Sequence, residues 1–124
     1  MRDLIVTVGQ TYPVEFVCTR RGLPVSLAGA TVTFTAVHVD QPIQRGFYPA
    51  YVYSDDIERQ VDAAVCEVDA DQVANPGLVR WTPTEAQTNA PGRYRMRFKV
   101  VYADEYVEFF PTMTDLQWLV ILPA

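Results

Sequence analysis

At 124 residues, 49% hydrophobic and 20% charged, the chain is long enough for one core that removes roughly two thirds of its unfolded surface from water, and too apolar for disorder over most of its length. A formal net charge of -5 would repel phosphate over most of the surface, so nucleic acid is excluded as an expected partner. Two cysteines outside any Cys-x-x-Cys spacing argue for reduced thiols over a disulfide framework, while nine prolines and six glycines cut the sequence into the short runs of an all-β protein.

No long apolar segment with a small-residue cleavage site opens the chain, so no signal peptide is expected, and residues 4–8 already read as a strand closed by Gly9 and Gln10. Residues 12–19 form a second predicted strand, with Val14, Phe16 and Cys18 on one face and Pro13 marking an edge or a start. Arg20-Arg21-Gly22-Leu23-Pro24 supplies turn chemistry. Residues 30–39 then alternate Val32, Phe34 and Ala36 against Thr31, Thr33 and Thr35. From 40 to 53 the period dissolves among Pro42, Gly46, Pro49 and three tyrosines, predicting a long loop with a short strand at 51–53; ordered loops of that length often carry function. Residues 61–68 read as a strand, Asn75-Pro76-Gly77 as a turn, 78–82 as a strand containing Trp81, and 84–90 as a polar connection.

The clearest segment is 91–102. Tyr94, Met96, Phe98, Val100 and Tyr102 alternate with Arg93, Arg95, Arg97 and Lys99, which is a strand with one buried and one cationic face. Asp104-Glu105 reads as a two-residue hairpin, 106–110 as the returning strand, and 116–122 as a closing strand that is apolar on both faces. The longest uninterrupted apolar run, residues 118–122, falls far short of the roughly 20 that a membrane helix needs, so no membrane partner is expected. About seven to nine strands without a convincing helix predict an antiparallel β-sandwich formed by the whole chain, 1–124, as a single domain. Its predicted core is Phe16, Val32, Phe34, Trp81, Tyr94, Met96, Phe98 and Trp118.

The stripe Arg93, Arg95, Arg97 and Lys99 holds four of the ten basic residues of an acidic protein and is the first candidate subunit interface. Tyr106 and Phe110, expected beside Val101 on the same outward face, join it, because arginine next to apolar rings is the composition of an interface centre. Leu119 and Ile121 are added from the second apolar face of the closing strand. The plainer alternative is a solvated face on which Glu108, opposite Val101 and diagonal to Lys99, makes a surface ion pair worth about 0.2–1 kcal/mol. Asp55, Asp56, Glu58, Asp62, Glu67, Asp69 and Asp71 gather seven of the fifteen acidic residues around a single Arg59, and the first four form a candidate acidic docking segment. Segregated charge of this kind predicts head-to-tail contacts between copies, or between a copy and a platform protein.

Other chemistries find less support. Asp69-x-Asp71 lacks the spacing of a calcium loop, His38 continues the inward register of Val32, Phe34 and Ala36, and no activated nucleophile or phosphate-binding loop occurs. The expectation is therefore no catalytic residue, no cofactor and no metal, hence no enzyme. A carbohydrate-binding or host-surface adhesion sandwich is the competing class, with Tyr48, Tyr51 and Tyr53 as stacking platforms.

Leu78-Val79-Arg80-Trp81 followed by Gly92-Arg93-Tyr94-Arg95-Met96 resembles the E-to-F corner of an immunoglobulin-type sandwich, where Gly-x-Tyr opens strand F and the tyrosine hydroxyl bonds to nearby backbone. Met96 stands where antibody domains have a disulfide cysteine. A wider order runs through Val8-Gly9-Gln10-Thr11, Phe16, Arg21-Gly22-Leu23-Pro24, Leu27-Ala28-Gly29-Ala30-Thr31-Val32, Gly77-Leu78-Val79-Arg80-Trp81 and Pro91-Gly92-Arg93-Tyr94. It closes on Phe109-Phe110-Pro111-Thr112 and Val120-Ile121-Leu122-Pro123. Spanning nearly the whole chain, it resembles the N-terminal immunoglobulin-like domain of tailed-phage baseplate upper proteins. The resemblance implies an immunoglobulin-like fold and a bacteriophage virion structural protein of tail, baseplate or neck, made in the host cytoplasm, whose partners are other virion proteins and copies of itself. The carry-over favours a docking or adaptor role over host binding, because family members commonly continue into a receptor-binding or connector region not present in this sequence.

Overall fold

The computed structural model describes residues 3–38, 59–111 and 117–124. Eleven strands occur among them: β1 (Leu4–Thr7), β2 (Val14–Val17), β3 (Thr19–Arg20), β4 (Leu23–Pro24), β5 (Thr31–His38), β6 (Arg59–Val65), β7 (Glu67–Val68), β8 (Leu78–Trp81), β9 (Gly92–Val101), β10 (Val107–Phe110) and β11 (Trp118–Leu122). The architecture is an immunoglobulin-like β-sandwich with a six-stranded sheet, ordered β1-β11-β9-β5-β6 with β10 also on β9, facing a three-stranded sheet, β2-β8-β7. All pairings are antiparallel except β1 with β11.

The strand count exceeds the sequence expectation because two long runs break where the chain leaves one layer. Residues 61–68 were expected to be one strand, but β6 ends at Val65, the Cys66 amide donates to the Val32 carbonyl (2.9 Å), and β7 pairs with β8 in the other sheet. Residues 12–19 divide likewise at Cys18, whose amide donates to the Gly77 carbonyl (2.8 Å) before β3 pairs with β4. Close approach there demands glycine: a Cβ at Gly77, where φ is +81°, would lie 2.6 Å from the Cys18 carbonyl oxygen. Both thiols stay unpaired and buried.

Four aromatic rings weld the layers. Trp81 of β8 packs 4.5 Å from Phe34 of β5, Phe34 lies 4.7 Å from Phe98 of β9, and Phe98 stacks at 4.4 Å on Phe16 of β2, so the row starts and ends in the smaller sheet and passes through two neighbouring rings of the larger one. Stacked and tilted ring pairs of this kind add about 0.5–1.5 kcal/mol each beyond area burial. Val32, Met96, Val79 and Val100 fill the space between them.

Tyr94 is buried and donates its hydroxyl proton to the Ala90 carbonyl, which is the corner bond that the Gly-x-Tyr pattern predicts. The connection before it, expected to be irregular, contains a 3-10 turn (Ala86–Thr88). Gln60 donates to the Ala86 and Gln87 carbonyls (3.0 and 3.1 Å), and buried Thr88 donates to the Gln10 carbonyl (3.2 Å), tying the corner to β6 and to the segment after β1.

Candidate docking surface

Period two directs Arg93, Arg95, Arg97 and Lys99 to the outer face of the larger sheet, while Tyr94, Met96, Phe98 and Val100 enter the core. One edge of β9 pairs with β5 along most of its length; the other is shared between β11, registered on 92–95, and β10, registered on 98–101. The two halves bring different rings to the arginines. Trp118, opposite Arg95, lies beneath both Arg93 and Arg95, each guanidinium carbon 4.9 Å from the ring centroid. Phe109, opposite Lys99, carries Arg97 at 4.2 Å. Cation–π contacts are worth about 0.5–1 kcal/mol at exposed sites and hold the arginines flat against the sheet. Arg93 and Lys99 are exposed, and among the described residues no carboxylate pairs with Arg93, Arg95 or Lys99. Apolar residues border the stripe: Ile5 is 61% exposed, Leu122 45% and Phe109 39%.

Four of the residues expected on this surface belong elsewhere. Phe110 is wholly buried, because the hairpin after β9 has a three-residue loop in place of the two-residue turn read from Asp104-Glu105: the Tyr102 amide donates to the Tyr106 carbonyl (2.8 Å), and Glu105 takes φ of +72°. Phe110 thus pairs with Phe98 and points inward, and Phe109 takes the outer face. Leu119 and Ile121 are buried as well, since Leu119 lies opposite Tyr94 and Ile121 opposite Gly92 with their side chains in the core. The closing strand looked two-faced in sequence because its outer residue Trp118 is itself half-covered by guanidinium groups, which also takes Trp118 out of the predicted core. Tyr106 is 73% exposed but sits at the hairpin end, lining an open depression with Arg20, Tyr102 and Glu108.

The register change also redirects Glu108. It lies opposite Val100, not Val101, and accepts from Arg20 Nε (2.9 Å) and from the Tyr102 hydroxyl (2.7 Å), joining the β3–β4 hairpin to the β9–β10 hairpin. The Arg20 hydrogen bond holds its carboxyl below the usual glutamate range, and burial with the Glu108 contact raises the Tyr102 hydroxyl.

Of the acidic docking segment, Asp62 is described: it is exposed and accepts from Arg59 (3.1 Å). Asp55, Asp56 and Glu58 lie outside the described residues, as do Tyr48, Tyr51 and Tyr53. A second acidic group is built by folding, on the outer face of the smaller sheet. Glu15 and Glu67 both stand opposite Arg80 on the central strand β8. Arg80 Nε lies 3.0 Å from Glu15, Nη2 3.0 Å from Asp69 and Nη1 3.9 Å from Glu67. A backbone hydrogen bond from Asp71, then Arg80, lowers the Asp69 carboxyl. Asp69 and Asp71 are thus engaged by backbone amides and by arginine, Asp71 accepting from Val73 and Ala74 (3.2 and 3.0 Å). The signal for this ladder was distributed over three distant segments, so no local pattern announced it. His38 packs edge-on against Tyr94 at 4.9 Å.

No family model matches this sequence, and no curated protein matches it. Among solved structures the chain is similar to CopC from Methylosinus trichosporium OB3b, with a TM-score of 0.44 and 14% sequence identity over 98% of this chain and 84% of that one.

Proposed function

We propose that the chain is a non-enzymatic structural component of a tailed-phage particle, in tail, baseplate or neck, which docks on neighbouring virion proteins through the outer face of its larger sheet. The observation that carries this reading is the row of arginines lying on Trp118 and Phe109, continued by Lys99 and bordered by exposed Ile5 and Leu122. Guanidinium groups already held against rings have less rotamer freedom to lose when a partner arrives, which lowers the entropic cost of association. Carboxylates on the partner would be steered toward the stripe and fix its orientation, while Ile5, Leu122 and Phe109 supply apolar area. The rigid corner at Tyr94 supports the same reading, because it anchors the start of the strand that displays the stripe.

Immunogold labelling of intact virions with an antibody against the chain tests this proposal. Gold at the tail, baseplate or neck is the expected result. Purified particles that carry neither label nor peptides of this chain would refute it.

A further inference from the structure

We infer that the partner of the cationic face is the acidic face of a second copy of this chain, so that the domains stack head to tail. This rests on the docking role proposed above and adds the identity of the partner. The two faces lie on opposite sides of the sandwich and have matched composition. On the larger sheet, Arg93, Arg95, Arg97 and Lys99 project outward beside Ile5 and Leu122. On the smaller sheet, Glu15, Glu67 and Asp69 share the single guanidinium of Arg80 beside Val17, which is 43% exposed. Three carboxylates on one cation leave an excess of negative charge. Glu67 is the carboxylate with capacity to spare: its side chain is 74% exposed and stands 3.9 Å from Arg80, whereas Glu15 and Asp69 close to 3.0 Å.

Each face therefore presents a charged ladder with an apolar margin, of opposite sign to the other. A contact between unlike faces of identical chains is heterologous, and it propagates to a ring or a filament according to the rotation between neighbours. Opposite potentials favour the unlike pairing and oppose like-on-like stacking of either face, which selects the orientation.

Two charge-reversed variants test the inference: Arg93→Glu with Lys99→Glu, and Glu15→Lys with Glu67→Lys. All four positions are exposed, and far-ultraviolet circular dichroism with urea unfolding verifies that each variant folds. Sedimentation velocity then reads association. The wild-type chain is expected to associate with concentration, at least tenfold more weakly at about 0.5 M salt than at about 0.05 M, since screening shortens the range of surface charge. The first variant leaves two arginines against two carboxylates on its stripe, hence no net charge, and the second makes both of its faces cationic, so each alone lacks the opposite-sign pairing and is expected to remain monomeric. An equimolar mixture is expected to regain association as one-to-one pairs, because the unaltered cationic stripe of the second variant meets the unaltered acidic face of the first.

A wild type that stays monomeric at low salt and at its highest soluble concentration overturns the inference, and so do variants that associate as the wild type does or a mixture that fails to associate. These results are separable from the virion proposal. A monomeric chain that still labels particles docks on a different protein, whereas a chain that stacks but is absent from particles is not a virion component.

Discussion

Phe109 and Phe110 are chemically identical neighbours that the register of β10 sends to opposite sides of the sheet. Their truncations therefore weigh that register directly. Phe110 is wholly buried opposite Phe98, so Phe110→Ala opens a cavity in the core and is expected to cost about 3–5 kcal/mol. Phe109 keeps 39% of its surface in water and touches the Arg97 guanidinium at 4.2 Å. Its removal forfeits partial burial and one exposed cation–π contact, together about 1–2 kcal/mol, and leaves no enclosed void. The difference of roughly 2–3 kcal/mol is well resolved by urea unfolding followed through tryptophan fluorescence, with m-values unchanged between variants. A two-residue turn at Asp104-Glu105 would slip the pairing by one residue and invert the order. Phe109→Ala costing as much as Phe110→Ala would refute the register and, with it, the composition assigned to the outer face.

Gln72 is buried with its Oε1 accepting from the Leu27 and Gly77 amides (2.8 and 2.9 Å) and its Nε2 donating to the Asp69 carbonyl (2.9 Å); Gln72→Met strands these groups and should cost about 2–4 kcal/mol in the same unfolding assay. Burial pushes the Cys18 and Cys66 thiols up to about 12, so a thiol-reactive disulfide reagent at neutral pH should label neither in the native chain and both in denaturant. The sign of the accompanying linkage follows from these raised values: folded thiols stay protonated where unfolded ones ionise, so stability is full below pH 9 and declines above it. Glu108 has the opposite sign, its carboxyl being lowered by Arg20, so its contribution is present above the ordinary glutamate range and is lost as pH falls through the lowered value. The acid limb of an unfolding titration below about pH 4.5 should accordingly be shallower in Glu108→Gln than in the wild type.

The faces of β5 and β9 were legible because strict alternation leaves one arrangement in which Phe34, Tyr94, Met96 and Phe98 share an interior. The corner at Tyr94 was legible from the glycine two residues before it. The β9–β10 loop was not, because its length depends on Glu105 adopting a positive φ, which residue type does not announce in a non-glycine. Trp118 read as core for a related reason: a large ring covered by arginine and one covered by leucine look alike in a strand pattern. The outward assignment of Leu119 and Ile121 then followed from that misplaced ring. Gln72 and the Glu15–Arg80–Glu67 ladder had no local signature, since their partners are supplied by other strands or by turn backbone.

Lys99 is the one lysine in the chain and stands exposed on the cationic stripe. Amine-reactive footprinting read by mass spectrometry thus reports on that face with a single side chain. In the isolated chain at high salt Lys99 is expected to react freely, and in intact particles it is expected to be strongly protected, with full reactivity returning on dissociation. Equal modification of Lys99 in the particle and in the free chain would contradict the assignment of this sheet face as the docking surface.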